Sequence, residues 1–256
     1  MNREKIKSLL IKIIIIFSII LTGQFVFKIF IVPTIVLKKI TVDSEVSLTD
    51  DEILSIAGIE AGEYFYTIDV MEIKKRLEDY PEVRRASVEK VFPDKLTIYL
   101  YERDAVALSV IKIKEKSFPV VIDNNGIVFN SNRDIESWDL PVLTGIRFPF
   151  IELGMQLPEP LKPLMEDLYD LKINDPLLFL LISEMKIERR GEKGFDLVLF
   201  LNSYPIRART GKKLDGNVLK TIKMVFDALK QQNLVKEIGE VDFRTKEIVY
   251  RLREEV

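Results

Sequence analysis

Histidine and cysteine are both missing from this chain of 256 residues, which removes most catalytic constellations at once. Without an imidazole no Ser-His-Asp or Cys-His relay can form. Without a thiol there is neither a disulfide nor a thiolate metal site. The remaining candidates are oxygen groups and glycine loops. Asp50-Asp51 and Glu254-Glu255 are adjacent carboxylates. The first pair falls in the opening turn of an expected helix, where acids complement the dipole, and no partner group fits either pair for acid/base work. Asp123-Asn124-Asn125-Gly126 suggests a calcium loop but lacks the spaced acids and the distal Glu, so it reads as a turn. Gly191 and Gly194 make a weak phosphate cradle and a good hairpin. No catalytic, cofactor-binding or metal-binding residue is assigned, no cofactor is expected, and the chain does not read as an enzyme.

With so little to catalyse, position becomes the informative quantity. Arg3, Lys5, Lys7 and Lys12 precede an apolar core at 13–27 that Lys28 closes. Fifteen helical residues rise only about 22 Å, short of a hydrocarbon core of about 30 Å. Both flanking lysines can snorkel, so the expected transmembrane helix is 9–32, behind a cytoplasmic tip at 1–8, with Pro33 ending it. The basic tip orients the N-terminus to the cytoplasm. A cleaved secretory signal is the competing reading, but Phe30-Ile31-Val32-Pro33 offers no small-residue cleavage site. Either way the rest of the chain is exported.

Residues 1–36 carry five Lys/Arg and one acid, whereas the remainder carries 33 basic and 39 acidic residues. A mildly acidic exported part is a poor nucleic-acid binder, which needs a basic face. Without disulfides its stability must come from burial, for which about 220 residues suffice.

The expected elements begin with a strand at 37–42. Thr49 with Glu52 forms a capping box, stapled by Leu48 and Ile53, and Gly58 stops that helix. Asp69 with Glu72 repeats the signal, stapled by Ile68 and Ile73, above a stripe of Val70, Ile73 and Leu77. Tyr80-Pro81 closes it. Strands at 83–91 and 95–101 flank Phe92-Pro93-Asp94; in the second, Leu96, Ile98 and Leu100 alternate with Thr97, Tyr99 and Tyr101. This is β-α-α-β-β.

Further on, 158–163 opens a helix reaching about Leu171, and Asp175-Pro176 starts a short one. The apolar run 177–182 is too short to span a bilayer and reads as buried core. Strands at 185–189 and 195–201 flank a hairpin at 190–194, and 205–210 continues as a third. An amphipathic helix at 217–232 shows a core face of Val218, Leu219, Ile222, Val225, Phe226 and Leu229. The last strands are 238–243 and 247–252. The fold class is therefore α+β: an N-terminal transmembrane helix, a β-α-α-β-β domain at 37–108, and a mixed antiparallel-sheet β domain with flanking helices at 109–256.

Val83-Arg84-Arg85-Ala86-Ser87-Val88-Glu89-Lys90-Val91-Phe92-Pro93-Asp94-Lys95-Leu96-Thr97-Ile98 resembles the Val-x-x-Ala-x-Val-x-Arg-x-x-Pro-x-x-Leu-x-Ile signature of a POTRA domain. Glu102-Arg103-Asp104-Ala105-Val106-Ala107 is similar to the Glu-Arg-x-Pro-x-Ala continuation of the FtsQ/DivIB cell-division family. Residues 121–129 resemble that family's Ile-Asp-x-x-Gly-x-Val-Phe, Leu140-Pro141-Val142-Leu143-Thr144-Gly145 its Leu-Pro-x-Leu-x-Gly, and Glu240-Val241-Asp242-Phe243-Arg244 its Ile-Asp-Leu-Arg. Lys90 stands where Arg is usual and Ala105 where Pro is usual. Lys90 keeps the charge and loses bidentate geometry.

The resemblance implies a non-enzymatic, bitopic divisome scaffold in the cytoplasmic (inner) membrane at the septum, its bulk extracytoplasmic or periplasmic. It would recruit FtsB/FtsL-like membrane proteins and other divisome components, and bring septal peptidoglycan synthesis to mid-cell. It places partner binding on the last strands, with Arg244 facing a partner acid and Thr245, Ile248 and Tyr250 supplying the adjoining surface. For Ile248, Tyr250 and Leu252 a buried face of a final strand is equally compatible with the alternation. The basic cluster Arg207, Arg209, Lys212 and Lys213 reads either as a solvated strand end and loop or as a contact for peptidoglycan or an acidic partner. Two alternatives are a secretion or transport-associated POTRA protein binding unfolded clients, which usually has several POTRA units and a barrel, and a membrane-tethered wall hydrolase, for which no catalytic constellation is present.

Overall fold

The basic tip and apolar run form α1 (Arg3–Val26), continued by a π-helical turn at Phe27–Ile31. The computed structural model describes residues 3–31, 34–113, 116–129, 139–146, 153–191, 194–245 and 247–253. Val32, Pro33, Glu192, Lys193, Glu254 and Glu255 lie outside them. Lys7–Phe30 is long and apolar enough to cross a membrane, and none of it is buried within the protein. Its 24 residues rise about 36 Å, enough for a hydrocarbon core. The helix starts ahead of the expected 9–32, so Lys7 is helical along with Lys12, which that expectation already placed inside the span. The chain is membrane-anchored.

Beyond the anchor the chain divides into two compact units, Met1–Glu78 with Arg85–Tyr101, and Asp79–Arg84 with Glu102–Val256. The first contains β1 (Lys39–Ser44), α2 (Asp50–Ala57), α3 (Val70–Glu78), β2 (Val83–Val91) and β3 (Lys95–Glu102). Its sheet has the order β1-β3-β2, with β1 parallel to β3 from Lys39↔Lys95 to Ser44↔Leu100. Thr49 caps α2 in full: Glu52 N donates to Thr49 Oγ1 (3.3 Å), and Thr49 N donates to Glu52 Oε2 (2.8 Å). Gly58 ends it at φ +65°, a left-handed conformation that favours glycine. The start of α3 is only half of the expected box. Asp69 Oδ1 accepts from Met71 N (2.9 Å) and Glu72 N (3.2 Å), but the Glu72 carboxylate turns to Arg76, one helical turn on, where a full charge competes better than an amide. Ile53, Ala57, Ile73 and Leu77 are buried with Leu96, Ile98 and Leu100.

The second unit is one mixed sheet. Its strands are β4 (Ala105–Ile113), β5 (Lys116–Asp123), β6 (Val128–Phe129), β7 (Val142–Thr144), β8 (Ile182–Arg190), β9 (Gly194–Leu201), β10 (Arg207–Thr210), β11 (Ile238–Asp242) and β12 (Val249–Leu252). They run in the order β12-β11-β10-β9-β8-β7-β4-β5-β6. Helices α4 (Lys162–Asn174), α5 (Pro176–Phe179) and α6 (Gly216–Gln231) accompany it. Leu164, Met165 and Leu168 of α4 and Leu219, Ile222 and Phe226 of α6 share one buried cluster with Val106, Leu143, Met185, Leu197, Ala208 and Val241 of the strands.

Two expectations are corrected. Residues 105–108, placed in the POTRA domain by the sequence reading, begin β4 of the distal sheet: Val106 and Ala107 are fully buried in its core. The run 177–182 is not uniformly core. Phe179 and Ile182 are buried, but Leu177 is 81% exposed and Leu180 44%, because α5 is a single helical turn that can bury only one side.

Candidate functional site

The terminal hairpin is where a strand meets solvent on three sides. β12 pairs antiparallel with β11, Asp242↔Val249 through Ile238↔Leu252, with a bulge at Gly239, and no described strand lies beyond it. All four of its residues are exposed, Tyr250 at 60% and Leu252 at 64%. The buried-face reading of Tyr250 and Leu252 is thereby set aside. Tyr250 stands opposite Val241 and Leu252 opposite Ile238. Those two neighbours are buried in the core cluster, so Tyr250 and Leu252 extend the apolar face of the sheet past its covered part. Arg253 N donates inward to Glu237 O (2.7 Å). Backbone groups alternate along a strand, so the N–H groups of Arg251 and Val249 also face β11, while those of Tyr250 and Leu252 point out from the free edge. An edge with unpaired N–H and C=O groups is a template for another strand.

Arg244 sits in the turn that launches β12. Its Nε donates to Asp242 Oδ1 (2.9 Å) and Oδ2 (3.1 Å), its Nη1 to Asp196 Oδ2 (2.7 Å), and its Nη2 to Asp242. The guanidinium holds the Asp242 carboxyl below the usual range, and Asp242 with Asp196 raises Arg244. Sequence reasoning sent this charge outward to a partner; here it is first engaged within the protein. Thr245 Oγ1 donates to Glu247 O (2.7 Å), which shapes the same turn, and Ile248 is exposed. The structure thus brings Arg244, Thr245, Ile248 and Tyr250 onto one hairpin.

Sequence reasoning missed Val249 and Arg251. They occupy the face opposite the core, where a row of charges crosses the sheet. Arg209 donates to Glu240 (2.8 Å) and Glu188 (2.7 Å), and Lys186 pairs with Glu188 (3.0 Å). Arg207 and Arg251 approach Glu240 at 3.9 and 4.0 Å. Arg209 lowers the Glu188 carboxyl, Lys186 adding to the effect, and Glu240 raises Arg209. Register alone signals the row: Phe200, Arg207, Glu240 and Arg251 are successive cross-strand neighbours.

This row also dissolves the basic cluster as a free patch. Arg207 and Arg209 face Glu240, Lys213 pairs with Asp215 (2.8 Å), and Lys212 lies 5.6 Å from the Phe195 ring. The supposed calcium turn is equally occupied. Asp123 Oδ1 accepts from Asn125 N (2.9 Å) and Ile127 N (2.7 Å), and Oδ2 from Arg103 (2.9 Å), whose Nε donates to Pro81 O (2.5 Å). Asp123 is fully buried, so its charge is matched by Arg103 and serves the fold. Among the described residues no group of acids is placed to hold a metal ion.

Comparison with known proteins agrees with this architecture. The profile of the POTRA domain, FtsQ-type, matches residues 36–103. The chain is 25% identical over 222 residues to the cell division protein FtsQ of Geotalea daltonii, covering 84% of this chain and 76% of that one. It is 24% identical to FtsQ of a Geobacter species, over 84% and 76%. Over 98 residues it is 28% identical to the cell division protein DivIB of Geobacillus kaustophilus, covering 38% and 36%. The chain thus carries an FtsQ-type POTRA domain and is similar over most of its length to cell division proteins named FtsQ, and over a shorter stretch to one named DivIB, which supports the FtsQ/DivIB family.

Proposed function

We infer that this chain is a non-enzymatic divisome scaffold that recruits FtsB/FtsL-like membrane proteins and links them to septal peptidoglycan synthesis. Its N-terminal tip is cytoplasmic and both folded units are extracytoplasmic, an orientation supported by the excess of basic residues before the anchor. The observation that carries the reading is β12, which is exposed on both faces and offers a free backbone edge. A partner segment adding to that edge would gain main-chain hydrogen bonds, with side-chain pockets on alternate residues setting specificity. Tyr250 and Leu252 would meet apolar partner residues on the helix side, and Arg251 an acid on the other. Arg244, Thr245 and Ile248 form the approach. The test is depletion of the protein in its own host: filaments without septa are expected, and normal division would overturn the assignment.

A further inference from the structure

We propose that the membrane-proximal rim of the POTRA domain is a lipid-binding surface, with Tyr64, Tyr66 and Phe92 entering the leaflet on the ectodomain's side. The argument starts from chain length. Only three residues separate Ile31, the end of the π turn, from Ile35, so the gap of four Cα steps is at most about 14 Å. Ile35 is already part of the folded unit. Phe65 N donates to Ile35 O (3.0 Å), Leu37 N to Glu63 O (2.8 Å), and Val36 pairs with Tyr64. On the other side Lys38 N and Lys39 N donate to Asp94 O (2.9 and 3.2 Å). The segment leaving the anchor is thus gripped between the loop at 62–65 and the turn of the β2–β3 hairpin, and neither can move away from the bilayer without unzipping it.

Those two gripping elements carry exposed aromatic groups: Tyr64 at 57%, Tyr66 at 45% and Phe92 at 62%. Tyr66 borders an open groove with Gly23, Gln24, Phe27 and Lys28 of the anchor, which sets its ring beside the last two turns of the span. Tyr and Trp favour that boundary because the ring is apolar and its polar tip stays wet. Two lysines lie on the same elements: Lys38 pairs with Asp94 (3.4 Å), and Lys90 lies 5.5 Å from the Phe65 ring, itself edge-on to Tyr66. Glu63 and Asp94 share the rim, so attraction rests on aromatic burial and depends little on lipid charge.

The absence of cysteine makes the test clean. The full chain, carrying Tyr64→Cys labelled with an environment-sensitive fluorophore, is reconstituted in phosphatidylcholine vesicles containing a quencher at acyl-chain position 5 or at the headgroup. Ser47→Cys, exposed beyond the far end of β1, is the control. Quenching from the acyl chain at 64 but not at 47, lost when Tyr66→Ser and Phe92→Ser are added, supports the proposal. Quenching at 64 from the headgroup alone, or only by aqueous iodide, overturns it and leaves a protein partner as the occupant.

Discussion

Arg244 combines a contact inside the turn with the partner contact proposed above. Asp242 and Asp196 engage three of its five N–H donors, which fixes the guanidinium, and in the proposed function the other two meet a partner carboxylate. Arg244→Glu is therefore expected to abolish capture of an FtsB/FtsL-like coiled coil, with Arg244→Gln as the variant that adds no repulsion inside the turn. Asp196→Asn, with Asp242 still in place, should weaken capture far less. A pull-down in which Asp196→Asn is as damaging as Arg244→Glu would mean that Arg244 acts only by shaping the turn. Glu82 gives a prediction of a different kind. It is buried, and desolvation, helped by nearby Glu102, raises its carboxyl above the ordinary range. A raised acid favours the folded state at pH values below the unfolded pKa and loses that advantage as pH rises through the folded one. Glu82→Gln should thus stabilise the protein against urea at pH 7 and make no difference near pH 4. Equal effects at both values would show that the cost of Glu82 is not its charge.

At the level of elements, β12 offers the sharpest test of strand addition. Proline at 250 removes an N–H that points away from β11 and leaves the β11–β12 ladder intact, which proline cannot do in a central strand. Tyr250→Pro should lower partner affinity by roughly tenfold more than Tyr250→Ala, the value of one well-placed backbone hydrogen bond. If the two variants bind equally, side chains and not the edge hold the partner. The same contrast of edge and centre explains what the sequence made legible. α2 announced itself because Thr49 and Glu52 act locally, and α6 because one face carries Leu219, Ile222 and Phe226. The strands β4 and β7 did not. β4 has neighbours on both sides and buries Ala105, Val106 and Ala107 consecutively, so it lacks the alternation that marks a half-buried strand. β7 has three residues and pairs in parallel with strands distant in sequence. For β12 alternation was visible but exposure was not, because an edge strand and a covered one share the same period. Arg244 was located by its motif, while its internal acids depended on Asp196, 48 residues away.

For the whole molecule the question is what the anchor contributes beyond attachment. Within the distal unit the chain enters the sheet through β4, and the order β4-β7-β8-β9-β10-β11-β12 puts the free edge six strand spacings away, about 29 Å at about 4.8 Å each. A partner strand on β12 would therefore pair with an edge that belongs to that unit. In the proposed function the anchor's part is to fix sidedness through Arg3, Lys5, Lys7 and Lys12 and to keep the POTRA rim within a few residues of the bilayer. Replacing 13–27 with an unrelated apolar helix of equal length, with the basic tip and Tyr64, Tyr66 and Phe92 retained, should restore septa in depleted cells as well as the native chain does. Capture by the solubilised protein should be unchanged. If the exchanged chain reaches the membrane, captures its partner normally and still leaves filaments, the apolar helix makes contacts of its own within the bilayer, and attachment is not its whole role.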